Sequence, residues 1–118
     1  MMKRWLENRN AGKKLSDFFI NCGFRSVAIY GAGDLGRLAY SELKNSDVKV
    51  TYFIDRNALA LGEVGGIPVI APSEYEKLRD TDIVIITASG GYDSICRMFA
   101  QNIPEIGTVS LYDAVCEC

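Results

Sequence analysis

A glycine-rich segment in the first third of the chain constrains the fold more than any other feature. Residues 27–36 read VAIYGAGDLG, so an apolar run leads into G-x-G-x-x-G and then into a helical pattern. In this context Gly31 permits a tight turn, Gly33 lets the backbone approach a diphosphate, and Gly36 lets the helix lie close to the sheet. Amides at the start of the helix then face the phosphates. The residues of this predicted phosphate loop are Gly31, Ala32, Gly33, Asp34, Leu35 and Gly36.

The next predicted strand ends in an acidic residue at the distance that such a loop requires. Asp55 follows the apolar run at residues 48–54 and lies 19 positions after Gly36. A carboxylate at this position accepts hydrogen bonds from the hydroxyls of an adenosine ribose. Arg56 is a candidate for stacking on adenine or for attracting a 2′-phosphate. Because Asp55 repels that phosphate, the pattern favours NAD over NADP.

A structural interpretation of the same residues stays open. The glycines can serve only the packing of the helix on the strand, and Asp55 can cap the following turn at Asn57. Arg56 can be a plain solvated arginine. Asp34 suits a helix N-terminus, yet it stands where an anionic diphosphate would bind. Either the side chain of Asp34 turns outward, or the affinity for a diphosphate is low.

Short apolar runs alternate with helical patterns along the rest of the chain. Strands that are apolar on both faces and separated by helices form a parallel sheet covered on both sides. Right-handed crossovers give the strand order 3-2-1-4-5. The sequence thus predicts a three-layer α/β domain at residues 26–118, after an N-terminal helical segment at residues 1–25. We predict strands at residues 27–30, 48–54, 66–70, 83–87 and 108–112, and helices at 13–22, 35–44, 72–78 and 92–101.

A second loop follows the fourth predicted strand. Strands 1 and 4 flank the point where the sheet order reverses, and open α/β sheets bind ligands there. The hydroxyls of Thr87 and Ser89 and the backbone of Gly90 and Gly91 are candidates for the other wall of the crevice. An ordinary turn between strand and helix is the alternative.

The sequence offers no catalytic group. It contains no histidine, which removes the Ser/His and Cys/His arrangements. Tyr40 and Lys44 match the Y-x-x-x-K pattern, but they lie near the end of the helix that is remote from the phosphate loop. We therefore assign Tyr40 to packing. Cys96 has apolar neighbours and is assigned to the core.

Composition limits the class of protein further. A chain of 118 residues suffices for one domain. The net charge is −2, and no basic tract exceeds the pair Lys13 and Lys14, so nucleic acid is not an expected partner. No apolar stretch is long enough for a membrane helix, and we expect a cytoplasmic protein. Four cysteines without histidine predict free thiols and no metal site, with Cys116 and Cys118 on a solvated terminus. The alternative for these two cysteines is metal chelation or a redox pair.

Four stretches together resemble a known family: SVAIYGAGDLGRLAYSEL, VKVTYFIDRN, GGIPVIAPSEYEKL and DIVIITAS. They are similar to the small Rossmann-type nucleotide-binding domain of bacterial polysaccharide and glycan biosynthesis proteins. Such domains precede the catalytic domains of nucleotide-sugar dehydratases and sugar acyltransferases. The resemblance covers residues 26–112. It implies a Rossmann-like fold in which Gly31, Gly33, Gly36 and Asp55 bind a nucleotide, a nucleotide-sugar or CoA.

Three hypotheses about function follow. The first is a nucleotide-binding module for NAD(H) or a nucleotide-sugar in polysaccharide or sugar-nucleotide metabolism, not catalytic alone. The second is an oxidoreductase or epimerase/dehydratase subunit that a partner chain completes. The third is an interaction domain that has lost its ligand. The segment around Trp5 either folds back on the domain, which we favour, or contacts a partner. With edge strands 3 and 5 it makes a homodimer one possible assembly.

Overall fold

The computed structural model describes residues 15–87, 91–111 and 114. The predicted features at Trp5, at residues 13–14 and 112, and at Cys116 and Cys118 lie outside this part. The described helices are α1 (Leu15–Asn21), α2 (Asp34–Leu43), α3 (Ala58–Leu61) and α4 (Tyr92–Asn102), with a 3-10 helix at Pro72–Leu78. The described strands are β1 (Ser26–Tyr30), β2 (Lys49–Ile54), β3 (Glu63–Val64), β4 (Ile67–Ile70), β5 (Ile83–Ile86) and β6 (Gly107–Ser110).

The strands form one sheet in the order β3-β4-β2-β1-β5-β6. The five predicted strands correspond to β1, β2, β4, β5 and β6, and the predicted order is confirmed. All neighbouring pairs are parallel except β3 with β4. In the central register Tyr30 lies beside Ile54 and Ile86. The three central strands therefore end side by side, and the chain leaves all three at one edge.

The extra strand, β3, is half of a small hairpin that the sequence analysis did not predict. Val64 pairs with Ile67 across the two residues Gly65 and Gly66. Both glycines have positive φ, 58° and 87°. A two-residue loop with positive φ at both positions is the hairpin turn that best fits the twist of the strands. Two residues are too short for a strand pattern, but the Gly-Gly pair was a usable signal.

The side chains of β1 alternate between two apolar cores, one on each face of the sheet. Val27 and Ile29 pack in a core that includes Phe19 of α1 and buried residues of α2. Ala28 and Tyr30 pack on the opposite face in a core that includes Phe99 of α4. Burial of the strands on both faces explains their nearly continuous apolar runs. The result is the predicted three-layer arrangement.

The helices agree with the prediction except in two segments: the short helix α3 was not predicted, and the helix predicted at residues 72–78 has a different geometry. At the end of α1 the amide of Phe24 donates to the carbonyl of Phe19 at 2.8 Å, and Gly23 donates to Ile20 at 3.0 Å, which is a Schellman motif with Gly23 as the predicted cap. The helix predicted at residues 72–78 is instead a 3-10 helix that is kinked at Glu74 (φ −92°, ψ 26°). Within the described residues, no helix is long and apolar enough to cross a membrane.

Candidate functional site

The carboxyl ends of three strands bring together residues that are far apart in the sequence. Gly31 follows β1 and its amide donates to the carbonyl of Ile54 at 2.7 Å. Thr87 follows β5, and its amide and its hydroxyl both donate to the carbonyl of Tyr30, at 3.1 and 2.8 Å. Asp55 follows β2. The sheet thus places the glycine loop between Asp55 and Thr87, as the strand order predicts.

The carboxylate of Asp55 fixes the shape of the glycine loop. Its Oδ2 accepts a hydrogen bond from the amide of Ala32 at 2.9 Å, and its Oδ1 accepts one from the amide of Asn57 at 2.9 Å. The bond to Asn57 is the turn cap that the structural interpretation expected. The bond to Ala32 is additional and joins β2 to the loop. A carboxylate has about four acceptor positions, so a ligand hydroxyl can still donate to Asp55.

Two of the three glycines are required by the fold. A Cβ at Gly36 would overlap the carbonyl oxygen of Gly31. A Cβ at Gly31 would overlap the hydroxyl oxygen of Thr87, and Gly31 has a φ of 107°, which favours glycine. The close approach of loop, helix and β5 therefore depends on the absence of these two side chains.

Gly33 differs from the other two glycines. A Cβ there would meet no heavy atom of the described residues within 4 Å, and its backbone (φ −82°, ψ −162°) suits any residue. Gly33 is the N-cap of α2, and no side chain of the described residues caps this helix there. It is also exposed. Within the part of the chain that the structure describes, packing therefore gives no reason for a glycine at this position.

The first turn of α2 carries one charge of each sign. Asp34 is exposed to solvent, while Leu35 is half-buried and packs against the core. Arg37 directly follows the third glycine, and its Nε donates to the carbonyl oxygen of Ala32 at 3.1 Å. The sequence analysis missed Arg37, although its place immediately after the glycine motif was a signal.

A cleft of about 300 Å³ opens at the same edge of the sheet. Arg56 and Gly91, the latter from the second predicted loop, both line it. Ser89 and Gly90 of that loop fall outside the described residues. The sequence analysis predicted Arg56 and Gly91 at the site but none of the other lining residues. The described residues that line the cleft are Tyr30, Arg56, Pro72, Gly91, Ser94, Ile95 and Met98.

Two chemically suggestive side chains lie elsewhere and take part in packing. The hydroxyl of Tyr40 donates to the carbonyl of Gly65 at 3.2 Å, and its ring meets Phe53 edge-on at a centroid distance of 5.8 Å. Tyr40 thereby joins α2 to the β3–β4 hairpin. Cys96 is half-buried, with its Sγ 3.5 Å from the hydroxyl oxygen of Thr108.

Comparison with known proteins identifies the fold. No protein-family model matches the chain, and no curated protein matches its sequence. A solved structure of UDP-D-quinovosamine 4-dehydrogenase from Vibrio fischeri is similar, with a TM-score of 0.60 and 19% identity over 80% of this chain and 85% of that one. RSP, a Rex-family repressor, is also similar, with a TM-score of 0.56 and 18% identity over 80% of this chain and 56% of the repressor.

At these identities the likeness shows the fold alone. The strand order, the loop after β1 and the two similar structures define a Rossmann-like α/β protein. Ligands of this fold bind outside the carboxyl ends of the strands, where the strand order reverses. In this chain that place is the edge occupied by the glycine loop, Asp55 and the cleft.

Proposed function

We propose that this protein is a nucleotide-binding module, with NAD(H) or a nucleotide-sugar as its ligand, that acts in polysaccharide or sugar-nucleotide metabolism. The diphosphate lies over Gly33 at the start of α2, and the ribose hydroxyls donate to Asp55. The base enters the cleft beside Arg56, and Thr87 contributes to the opposite wall, while the same role for Ser89 stays a prediction from the sequence. The module is not catalytic alone. The cytoplasmic location and the division at residue 26 stay predictions from the sequence.

The observation that carries the proposal is the open space over Gly33. Gly31 and Gly36 have packing roles, whereas a Cβ at Gly33 would meet no atom of the described residues within 4 Å. Helix N-caps favour Ser, Thr, Asp and Asn at least as much as glycine. A glycine with no role in packing is therefore best explained by a molecule that must approach the backbone there. An anion fits, because the first amides of a helix attract negative charge.

The neighbourhood of Gly33 supports a nucleotide rather than a free anion. Asp55 is hydrogen-bonded to the loop itself, so an acceptor for ribose hydroxyls lies beside the position for phosphate. The cleft combines apolar side chains with the guanidinium of Arg56, which is suited to stacking on a planar base. Phosphate, sugar and base thus each have a complementary surface at one edge of the sheet.

A second candidate is an oxidoreductase or epimerase/dehydratase subunit that a partner chain completes. The similar structure from Vibrio fischeri, named as a dehydrogenase of a UDP-sugar, favours this alternative. Conversion of a UDP-sugar by the chain together with a partner, with a change in nicotinamide absorbance, would support it. A homodimer or a catalytic partner in trans is part of this proposal.

Ligand-dependent thermal stability tests the proposed function. NAD, NADH, NADP, CoA, UDP and UDP-sugars are each added to the purified chain at millimolar concentration. A ligand at ten times its Kd adds about 1.4 kcal/mol to the free energy of unfolding, which raises the Tm by about 5–10 °C. We expect NAD or a UDP-sugar to produce this shift and NADP to produce less. If none of these compounds raises the Tm, the chain is an interaction domain and the proposal is wrong.

The variant Gly33→Val separates ligand binding from folding. The Cβ of the valine meets no described residue within 4 Å, but the side chain fills the position of the diphosphate, so we expect at least a tenfold loss of affinity (about 1.4 kcal/mol). The Tm of the ligand-free variant falls only slightly, because valine is a poorer N-cap than glycine. Gly107→Val is the matched control, since among the described residues a Cβ there meets only the Ile83 side chain, at 3.9 Å, at the other end of the sheet. Unchanged affinity in Gly33→Val would contradict the proposed position of the phosphates.

A further inference from the structure

The guanidinium of Arg37 is turned back onto the glycine loop. Arg37 lies in the first turn of α2, and its Nε donates to the carbonyl oxygen of Ala32 at 3.1 Å. The amide of the same Ala32 donates to Asp55 at 2.9 Å. The residue between the first two glycines is thus held by a carboxylate on one side and by a guanidinium on the other. A permanent positive charge consequently lies beside the predicted phosphate position.

This charge matters because the loop also carries negative groups. Asp34 is exposed at the start of α2, and the carboxylate of Asp55 bonds to the loop directly. Both would repel a diphosphate. Asp34 and Arg37 are three residues apart on one helix, a spacing that permits an ion pair. The structure nevertheless places the Nε of Arg37 on the carbonyl of Ala32, so the guanidinium lies next to the loop.

The hydrogen bond that Arg37 makes to the loop leaves most of its N–H donors available. The guanidinium has five N–H donors, and the bond to Ala32 takes one of them. The side chain is exposed, so a single hydrogen bond to a carbonyl contributes little to stability. The remaining donors form a planar fork that matches two phosphate oxygens.

We propose that Arg37 contacts the phosphate groups of the ligand and offsets the charges of Asp34 and Asp55. This inference rests on the proposed function and narrows the ligand to nucleotides with a diphosphate. A nucleoside does not use this contact. The amides at Gly33 and the guanidinium of Arg37 together bind the diphosphate, while Asp55 and the cleft bind the nucleoside.

Binding measurements on charge variants of Arg37 test the inference. ADP, UDP, NAD and the nucleosides adenosine and uridine are titrated into the wild type, Arg37→Gln and Arg37→Lys. We expect Arg37→Gln to lower the affinity for the diphosphates about tenfold or more and to change nucleoside binding less than about threefold. Its diphosphate binding also becomes less dependent on salt. Arg37→Lys keeps the charge but loses the fork, so its diphosphate affinity lies between those of the wild type and Arg37→Gln.

Arg25→Gln is the matched control. Arg25 is exposed and immediately precedes β1, so it lies at the other end of the strand from the loop. We expect its binding of every probe to equal that of the wild type. If the wild type binds diphosphates and Arg37→Gln binds them equally well with the same salt dependence, the inference about Arg37 is wrong and the proposed function stands. An equal loss for nucleosides and diphosphates also overturns it, because Arg37 would then act only by holding the loop. If the wild type binds none of the probes, both proposals fail.

Discussion

At the scale of single residues, the three glycines of one motif have different physical roles. Gly31 adopts a backbone conformation that favours glycine and lies against Thr87. Gly36 brings α2 into contact with the carbonyl of Gly31. A Cβ at Gly33 would meet none of the residues that the structure describes within 4 Å. The motif therefore combines two positions that determine the fold with one that is open to a ligand.

Because of this difference, we expect substitution by alanine to destabilise the fold strongly at Gly36 and weakly at Gly33. Gly36→Ala places a methyl group against a backbone carbonyl that cannot move freely, so we expect the free energy of unfolding to fall by about 2 kcal/mol or more. Gly33→Ala changes it by less than about 1 kcal/mol, through the N-cap alone. Urea unfolding followed by circular dichroism measures both. Equal effects of the two substitutions would show that Gly33 also has a packing role.

The sequence predicted the loop and Asp55 but not the bonds between them. Spacing along the chain indicates which residues meet at the edge of the sheet. It does not indicate that the amide of Ala32 bonds to Asp55 or that its carbonyl bonds to Arg37. Those contacts depend on the distance between β1 and β2 and on side-chain rotamers, which a single sequence does not specify. The cleft residues Pro72 and Met98 were missed for the same reason.

At the scale of elements, hydrogen bonds of Asp82 with Arg25 and Ser26 join β1 to β5 at the end of the sheet remote from the candidate site. Oδ2 of Asp82 accepts hydrogen bonds from the amides of Arg25 at 2.8 Å and Ser26 at 3.1 Å. The amide of Asp82 donates to the carbonyl of Ser26 at 3.0 Å. The bond from the Arg25 amide is the main cause of a lowered pKa of the Asp82 carboxyl, and the amide and hydroxyl of Ser26 add to it.

The lowered pKa predicts that the free energy of unfolding depends on pH in the acidic range. The folded-state pKa of Asp82 lies below the ordinary value of 3.8, so its stabilising effect is fully present above that pH and is lost as the pH falls through the folded value. We expect Asp82→Asn to cost about 1 kcal/mol at pH 7, since the group is largely exposed, and the difference from the wild type to shrink in acid below pH 3.8. Urea unfolding at several pH values measures the difference.

Asp80→Asn is the control for that series. Asp80 takes part in the same group of hydrogen bonds through its backbone carbonyl, which accepts a hydrogen bond from the hydroxyl of Ser26 at 3.1 Å. Its substitution keeps that bond and removes one nearby negative charge. A difference between Asp82→Asn and the wild type that does not change with pH would contradict the assigned cause.

Elements with a strong apolar pattern were predicted, whereas α3, β3 and the 3-10 geometry of Pro72–Leu78 were not. The apolar pattern of β1 and β5 and the helical pattern of α2 and α4 are strong because these elements bury defined faces. The segment at Pro72–Leu78 has a proline start that suits any helix, but Glu74 turns back to accept a hydrogen bond from the amide of Ala71 at 3.1 Å. That local bond accompanies the kink at Glu74. The pattern of apolar residues along the chain does not show such a kink.

At the scale of the whole molecule, one sheet separates two apolar cores. Phe19 is fully buried on one face and Phe99 on the other, with 0% and 1% of their surfaces exposed. Neighbouring residues of β1 belong to different cores, so loss of either core exposes the same strand. The two faces are therefore expected to unfold together.

Conservative substitutions on the two faces test this coupling. Phe19→Leu and Phe99→Leu each remove buried volume, and we expect each to lower the free energy of unfolding by about 1–2 kcal/mol. Both variants keep a single transition with an unchanged dependence on urea. Circular dichroism and tyrosine fluorescence measure the transition independently. A second transition in either variant would show that the two faces unfold separately.

The bond between Asp55 and Ala32 has a consequence for the rate of ligand capture. Since the folded chain already fixes the turn after its first strand, the entropy of ordering that turn is lost during folding and not during association. An arriving molecule meets a surface in its final shape, so collision and orientation limit the speed of capture rather than a slow rearrangement.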